Sequence, residues 1–145
     1  MDKIRVLFLC TGNSARSQMA EAFLRKYAGD KFEAYSAGLE PTGIHPLTKK
    51  VMDEIGIDIS KQKSKSLSEY MGKLHFAYLI TVCLNADKNC PSTFVGFGQR
   101  QNWDIEDPVA FSGTDAEKLQ KFRDTRDQIS EKVRTWTDNQ IKHKP

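Results

Sequence analysis

Ile4-Arg5-Val6-Leu7-Phe8-Leu9-Cys10-Thr11-Gly12-Asn13-Ser14-Ala15-Arg16-Ser17 decides how the rest of the chain is read. Its first six residues are an apolar run of the length of one buried strand, and the run stops at a cysteine. Beyond Ser17, Met19, Phe23 and Tyr27 share one stripe with Ala20 and Leu24 beside it, as in an amphipathic helix packed on a sheet. Residues 10–17 therefore form a strand-to-helix turn. The five residues between Cys10 and Arg16 let that turn curl until both ends face one point, ringed by main-chain N–H groups. A nest of amides at a helix N-terminus attracts an oxyanion, and Arg16 offers a planar fork to two of its oxygens. The same field is expected to lower the pKa of Cys10, since thiolate is favoured beside an arginine and a helix start. A lone cysteine is by default a small buried hydrophobe. The strand before, the helix after, Gly12 and the hydroxyls between argue against that here.

Outward from this turn, Phe32–Ala37 alternates as a second strand closed by Gly38, and Glu40-Pro41-Thr42-Gly43 reads as a turn. Pro46 opens a helix carrying Leu47, Val51 and Ile55, with Gly56 as its stop. Ile57–Lys65 reads as a polar connector, Leu67–Leu74 as a short helix, and Phe76–Val82 as a central strand ending at Cys83. Leu84–Cys90 is polar and expected to move, and Thr93–Phe97 is the candidate fourth strand. After Trp103–Pro108 the tail is one long helix, with a capping box at Thr114 and Glu117 and a seam of Leu119, Phe122, Ile129, Val133 and Trp136. This alternation predicts an α/β three-layer sandwich, a central four-stranded parallel sheet flanked by helices. Cys10 and Cys83 both fall at C-terminal strand ends, where open α/β sheets bind ligands.

At 145 residues the chain is sized for one domain spanning 1–145. Twenty-two basic against nineteen acidic residues give a net charge of +3, spread along the chain. That excess mildly favours an anionic ligand and is only weak support for nucleic acid, so no nucleic-acid partner is expected. The apolar run at the start is too short to cross a membrane and has no leader pattern, so a cytoplasmic protein without a membrane partner is expected. Three cysteines, an odd number, are not a disulfide scaffold; in a reducing compartment they are reactive, metal-binding or buried. Cys83 and Cys90 are separated by six intervening residues, close enough for a disulfide if the segment folds back, or for half of a zinc site. His45, His75 and His143 do not complete zinc spacing, so no metal is assigned. Asp107-Pro108 on its own reads as a turn start; with the anion loop upstream, Asp107 becomes a candidate general acid.

Cys10-x5-Arg16-Ser17 directly after the first strand resembles the active-site loop of the low-molecular-weight protein tyrosine phosphatase superfamily, and Asp107-Pro108 matches its general-acid pair. The resemblance implies the same three-layer fold. Phosphatases of this superfamily usually follow that pair with tyrosine and ring the loop with aromatic residues; Val109 follows here, and the loop carries Thr11, Ser14 and Ala15. With Cys83 and Cys90 added, the chain resembles the thioredoxin-coupled arsenate reductase branch. The match covers residues 10–21, Tyr35–Gly38, Gly56–Ser60, the cysteine pair and Trp103–Pro108.

That resemblance implies a mechanism. The Cys10 thiolate, steadied by Ser17, attacks arsenate cradled by Thr11, Gly12, Asn13, Ser14, Ala15 and Arg16 while Asp107 protonates the departing oxygen. Cys83 then attacks Cys10 and releases arsenite, Cys90 attacks Cys83, and thioredoxin reduces the final disulfide. It implies no further cofactor, phosphate and sulfate as competing oxyanions, and a monomer. Some members build a cation site behind the loop. Asn13, Glu21 and Ser36 match its ligands, but Lys65 falls where the family has an aspartate, and its ammonium is expected to replace the ion beside Glu21. The alternatives are a low-molecular-weight phosphotyrosine phosphatase, which needs only Cys10, Arg16 and Asp107, and a non-catalytic thiol sensor or anion-binding module.

Overall fold

The run Val6-Leu7-Phe8-Leu9 has no polar side chain, and all four residues are fully buried. Each such side chain contributes about 1.5–3 kcal/mol when taken out of water, so this strand belongs in the middle of a sheet covered on both faces. The computed structural model describes residues 3–83 and 97–142 and places it there. The elements are β1 (Ile4–Cys10), α1 (Arg16–Ala28), β2 (Phe32–Gly38), α2 (Pro46–Asp53), a 3-10 turn at Leu67–Glu69, β3 (Phe76–Thr81), β4 (Phe97–Asn102), a second 3-10 turn at Pro108–Ala110, and α3 (Asp115–Lys142). The sheet runs β2-β1-β3-β4 with every pair parallel. Cys10 stands opposite Gly38, and Leu9 stands opposite Thr81.

Side-chain alternation along β2 sends Phe32 to Trp136 of α3, at 5.2 Å between ring centroids, and Tyr35 to Tyr70 at 5.4 Å. The seam of α3 is buried at Phe122, Ile129, Val133 and Trp136, and half-buried at Leu119. Thr114 and Glu117 cap it reciprocally: Glu117 N donates to Thr114 Oγ1 at 3.1 Å, and Thr114 N to Glu117 Oε1 at 2.9 Å. Tyr27 and Ser130 join α1 to α3 through their hydroxyls at 2.6 Å. Arg126 of α3 is buried and reaches α2, donating to Val51 O at 2.9 Å and Glu54 Oε1 at 3.0 Å. No helix among the described residues is long and apolar enough to cross a membrane.

Four expectations shift. The fourth strand is Phe97–Asn102, not Thr93–Phe97; residues 93–96 lie outside the described residues. Its sequence Phe-Gly-Gln-Arg-Gln-Asn is polar, which fits a strand that pairs on one side only among the described residues, since edge strands are kept polar against stray pairing. The expected helix over Leu67–Leu74 is a 3-10 turn at Leu67–Glu69 followed by a turn holding Gly72 at φ +75°, and α2 stops at Asp53, ahead of Gly56 at φ +78°. The connector at 57–65 is less polar in effect than in composition, because Ile59 is buried in the core. The segment from Leu84 to Cys90 and His143 also lie outside the described residues.

Candidate active site

Cys10 closes β1 and Arg16 opens α1, so the loop between them is pinned at both ends by regular structure. Its outward carbonyls are taken up by the chain that follows β2. Glu40 N donates to Thr11 O at 2.8 Å, Thr42 N to Gly12 O at 3.0 Å, and His45 N and Thr48 Oγ1 both to Ser14 O. The Asn13 N–H turns inward onto Cys10 Sγ at 3.2 Å, which its positive φ of 49° makes possible. Gly38 is required at the end of β2: a Cβ there would stand 2.6 Å from Thr11 O and 2.9 Å from Asn13 N.

Cys10 is buried, with Sγ 2.7 Å from Ser17 Oγ. Burial pushes this thiol above its ordinary value, against the Ser17 hydroxyl, the Arg16 guanidinium and the Asn13 N–H, which all pull it down. The lowering expected from the loop's field is therefore reversed, because desolvation of the sulfur outweighs it. Arg16 is 8% exposed; its Nη1 donates to Ile105 O at 2.8 Å and its Nη2 stands 3.5 Å from Asp107 Oδ2. This brings the late loop over the early one. Asp107 Oδ1 accepts from Val109 N at 3.0 Å, closing the turn begun by Pro108. Between the two loops lies a cavity of about 210 Å³, with Cys10, Thr11, Gly12, Ser14, Ala15 and Arg16 on one side and Thr42, Asp107 and Val109 on the other.

Cys83 is buried two residues beyond β3, with Sγ 3.6 Å from Thr11 Oγ1, so the second cysteine sits against the loop that holds the first. Asn102 at the end of β4 holds this corner by donating to Thr81 Oγ1 at 2.8 Å and to Cys83 O at 3.3 Å. Cys90 is outside the described residues. Thus Cys10, the loop, Arg16, Ser17, Asp107 and Cys83 come together.

Behind the loop, Glu21 Oε1 accepts from Ser36 Oγ at 2.6 Å and stands 3.7 Å from Lys65 Nζ, while Oε2 pairs with Arg25 at 2.7 Å. Burial pushes the Lys65 ammonium below its usual value, with Glu21 opposing. A carboxylate already facing two cations does not suit a potassium ion, which would meet the Lys65 ammonium. No group of three His, Cys, Asp or Glu suited to a metal occurs among the described residues. His45 caps α2 through Nδ1 and lies 4.9 Å from the Phe122 ring, a structural role, and His75 is exposed. Sequence reasoning missed Thr42, Asn102 and Gln18. Only Gln18 left a signal, as a polar residue on the first turn of a buried helix.

Residues 5–145 match the family model described as low molecular weight phosphotyrosine protein phosphatase. The chain is 44% identical over 139 residues to an arsenate reductase of Halalkalibacterium halodurans, covering 95% of this chain and 98% of that protein. It shares 33% identity and a TM-score of 0.79 with a solved structure described as an arsenate reductase in the phosphate binding state, over 94% of this chain and 98% of the other. With a thioredoxin-dependent arsenate reductase of Corynebacterium glutamicum it shares 30% identity and a TM-score of 0.71, over 97% of this chain and 64% of that one. The strand-loop-helix beginning, the parallel sheet and these matches agree, and the chain belongs to the low molecular weight phosphotyrosine protein phosphatase family.

Proposed function

We propose that this protein reduces arsenate to arsenite and is recharged by thioredoxin. The observation that carries the reading is Cys83 lying 3.6 Å from the Thr11 hydroxyl of the oxyanion loop, a cysteine for which phosphate ester hydrolysis has no use. Arsenate copies phosphate in shape and charge, so a loop built for one holds the other. The Cys10 thiolate forms a bond to arsenic, held by Arg16 and loop N–H groups, and Asp107 gives a proton to the oxygen that leaves as water. Cys83 thiolate then attacks Cys10 Sγ. The sulfur–arsenic bond pair stays on arsenic, which drops from the +5 to the +3 state and departs as arsenite, leaving a Cys10–Cys83 disulfide. Cys90 attacks Cys83 and frees Cys10 as thiolate, and the dithiol of thioredoxin takes over the Cys83–Cys90 disulfide. No metal is needed, and Lys65 serves in place of a cation beside Glu21. The same reading makes the protein a cytoplasmic monomer acting as one domain, with phosphate and sulfate as competitors.

The test supplies thioredoxin, its reductase, NADPH and arsenate, and follows NADPH loss in the wild type and in Cys83→Ser. Turnover should occur in the first and vanish in the second, while slow hydrolysis of a phosphate ester survives in both. Survival of arsenate turnover in Cys83→Ser would refute the relay. A single stoichiometric oxidation without turnover would instead favour a thiol sensor. A phosphotyrosine phosphatase is the second reading, since Cys10, Arg16 and Asp107 suffice for it; the wall at Val109, with no aromatic ring among the described residues that line the cavity, weighs against it.

A further inference from the structure

Gln18, on the first turn of α1, is fully buried yet does not line the cavity. A buried amide must have its donors and its acceptor engaged or it costs stability. Here Nε2 lies 2.9 Å from Lys63 O, 3.1 Å from Asn13 O and 2.9 Å from Asn13 Oδ1, and Oε1 accepts from Gln62 Nε2 at 2.8 Å. Amide oxygen and nitrogen have nearly the same shape, so their direction has to come from groups that can play only one part. Main-chain carbonyls only accept, which makes the Gln18 atom beside them the nitrogen. The Lys65 main-chain N–H only donates, at 2.8 Å, which makes its Asn13 partner the oxygen. Asn13 Nδ2 is then obliged to donate to Ser17 Oγ at 2.8 Å. With that oxygen already accepting, the hydroxyl hydrogen is left for Cys10 Sγ at 2.7 Å.

We propose that Gln18 is a positioning residue for the reaction: it locks the Asn13 side-chain amide in one orientation, so that a directed chain Gln18, Asn13, Ser17 ends in a hydroxyl donated to the nucleophilic sulfur. Were the Asn13 amide reversed, its oxygen would face Ser17, the hydroxyl would turn to it, and the sulfur would lose a donor that favours its thiolate. The inference rests on Cys10 being the nucleophile proposed above, but its readout is the thiol itself.

The test uses Gln18→Met, which keeps length and removes both donors. The pH dependence of Cys10 alkylation by iodoacetamide, followed on the Cys10 peptide by mass spectrometry, is compared in wild type, Q18M, S17A and the double variant. Q18M should raise the apparent pKa of Cys10 by about one unit, as expected for loss of one hydrogen bond to the charged form. It should lower kcat for arsenate while leaving KM nearly unchanged. In the S17A background it should add almost nothing, because both act through one hydroxyl. A folded Q18M with an unchanged Cys10 profile overturns the proposal, and so does a full additional shift in the double variant. If Q18M fails to fold, the wild type decides by NMR: the Asn13 side-chain amide protons should exchange far more slowly than a free amide, and exchange at the free rate overturns it. Thiol shifts as expected in a protein without arsenate turnover would reject the proposed function and leave this inference standing.

Discussion

Cys10 carries two opposed influences within one side chain's reach. Burial favours the neutral thiol, while Ser17, Arg16 and the Asn13 N–H favour the thiolate, and burial prevails. A thiol whose folded pKa is raised adds stability below its unfolded pKa, about 8.5, and loses it as pH climbs through the higher folded value. Urea midpoints should therefore fall on the alkaline side, and Cys10→Ala should flatten that fall; equal slopes in both proteins would contradict the assignment. Ser17→Ala removes a hydrogen bond to a charged group, worth about 1.5–3 kcal/mol, so kcat should drop roughly 10- to 100-fold. At the neighbouring carboxylate the sign is set by Lys65. Because its ammonium stands 3.7 Å from Glu21 Oε1, rates in potassium and sodium buffers should agree, and Lys65→Asp should create a potassium dependence. Strong potassium activation of the wild type would show that Lys65 does not replace the ion.

Elements show why some of the fold was legible and some was not. β1 and α1 were readable because a central strand covered on both faces is written as an apolar run, and the Met19, Phe23 and Tyr27 stripe marks a helix even though residues 16–24 of α1 are buried all round. β4 was not, because a strand paired on one side is free to be polar, and its neighbour Thr93–Phe97 looks more strand-like than it does. The loop's contents were visible from Cys10 and Arg16. What holds the neighbouring Cys83 corner was not, since Asn102 reaches Thr81 across 21 residues and Cys83 across 19, from a strand without an apolar signature. One support can be tested directly. Gly38 lets the turn lie against the end of β2, and a methyl group there would collide with main-chain atoms at 2.6 and 2.9 Å. Gly38→Ala should destabilise by about 1–3 kcal/mol through overpacking. By displacing the loop it should also cut arsenate turnover roughly 100-fold, as a misplacement of about 1 Å can. Unchanged urea midpoint and rate would mean that the loop tolerates the extra atom.

At the scale of the whole molecule, order β2-β1-β3-β4 reverses direction between β1 and β3, and Cys10 and Cys83 issue from that crevice. Away from that crevice α3 adds to the core, and its Trp136 packs on Phe32 of β2 at 5.2 Å and on Tyr78 of β3 at 5.1 Å. Trp136 lines none of the cavity between the loops. Its Nε1 is buried and finds no hydrogen-bond partner among the described residues. Two terms then compete on substitution. Trp136→Ala loses the buried ring and leaves a void, which costs about 3–5 kcal/mol. Trp136→Phe loses part of the ring but also removes an unsatisfied N–H, whose burial costs about 1–3 kcal/mol, so the net change should stay within roughly 1 kcal/mol. Urea denaturation should separate the two variants by several kcal/mol, while kcat per folded molecule stays at the wild-type level in both. A Phe variant as unstable as the Ala variant would show that the indole nitrogen is satisfied after all, and a fall in kcat in either would tie the far face of the sheet to the loop.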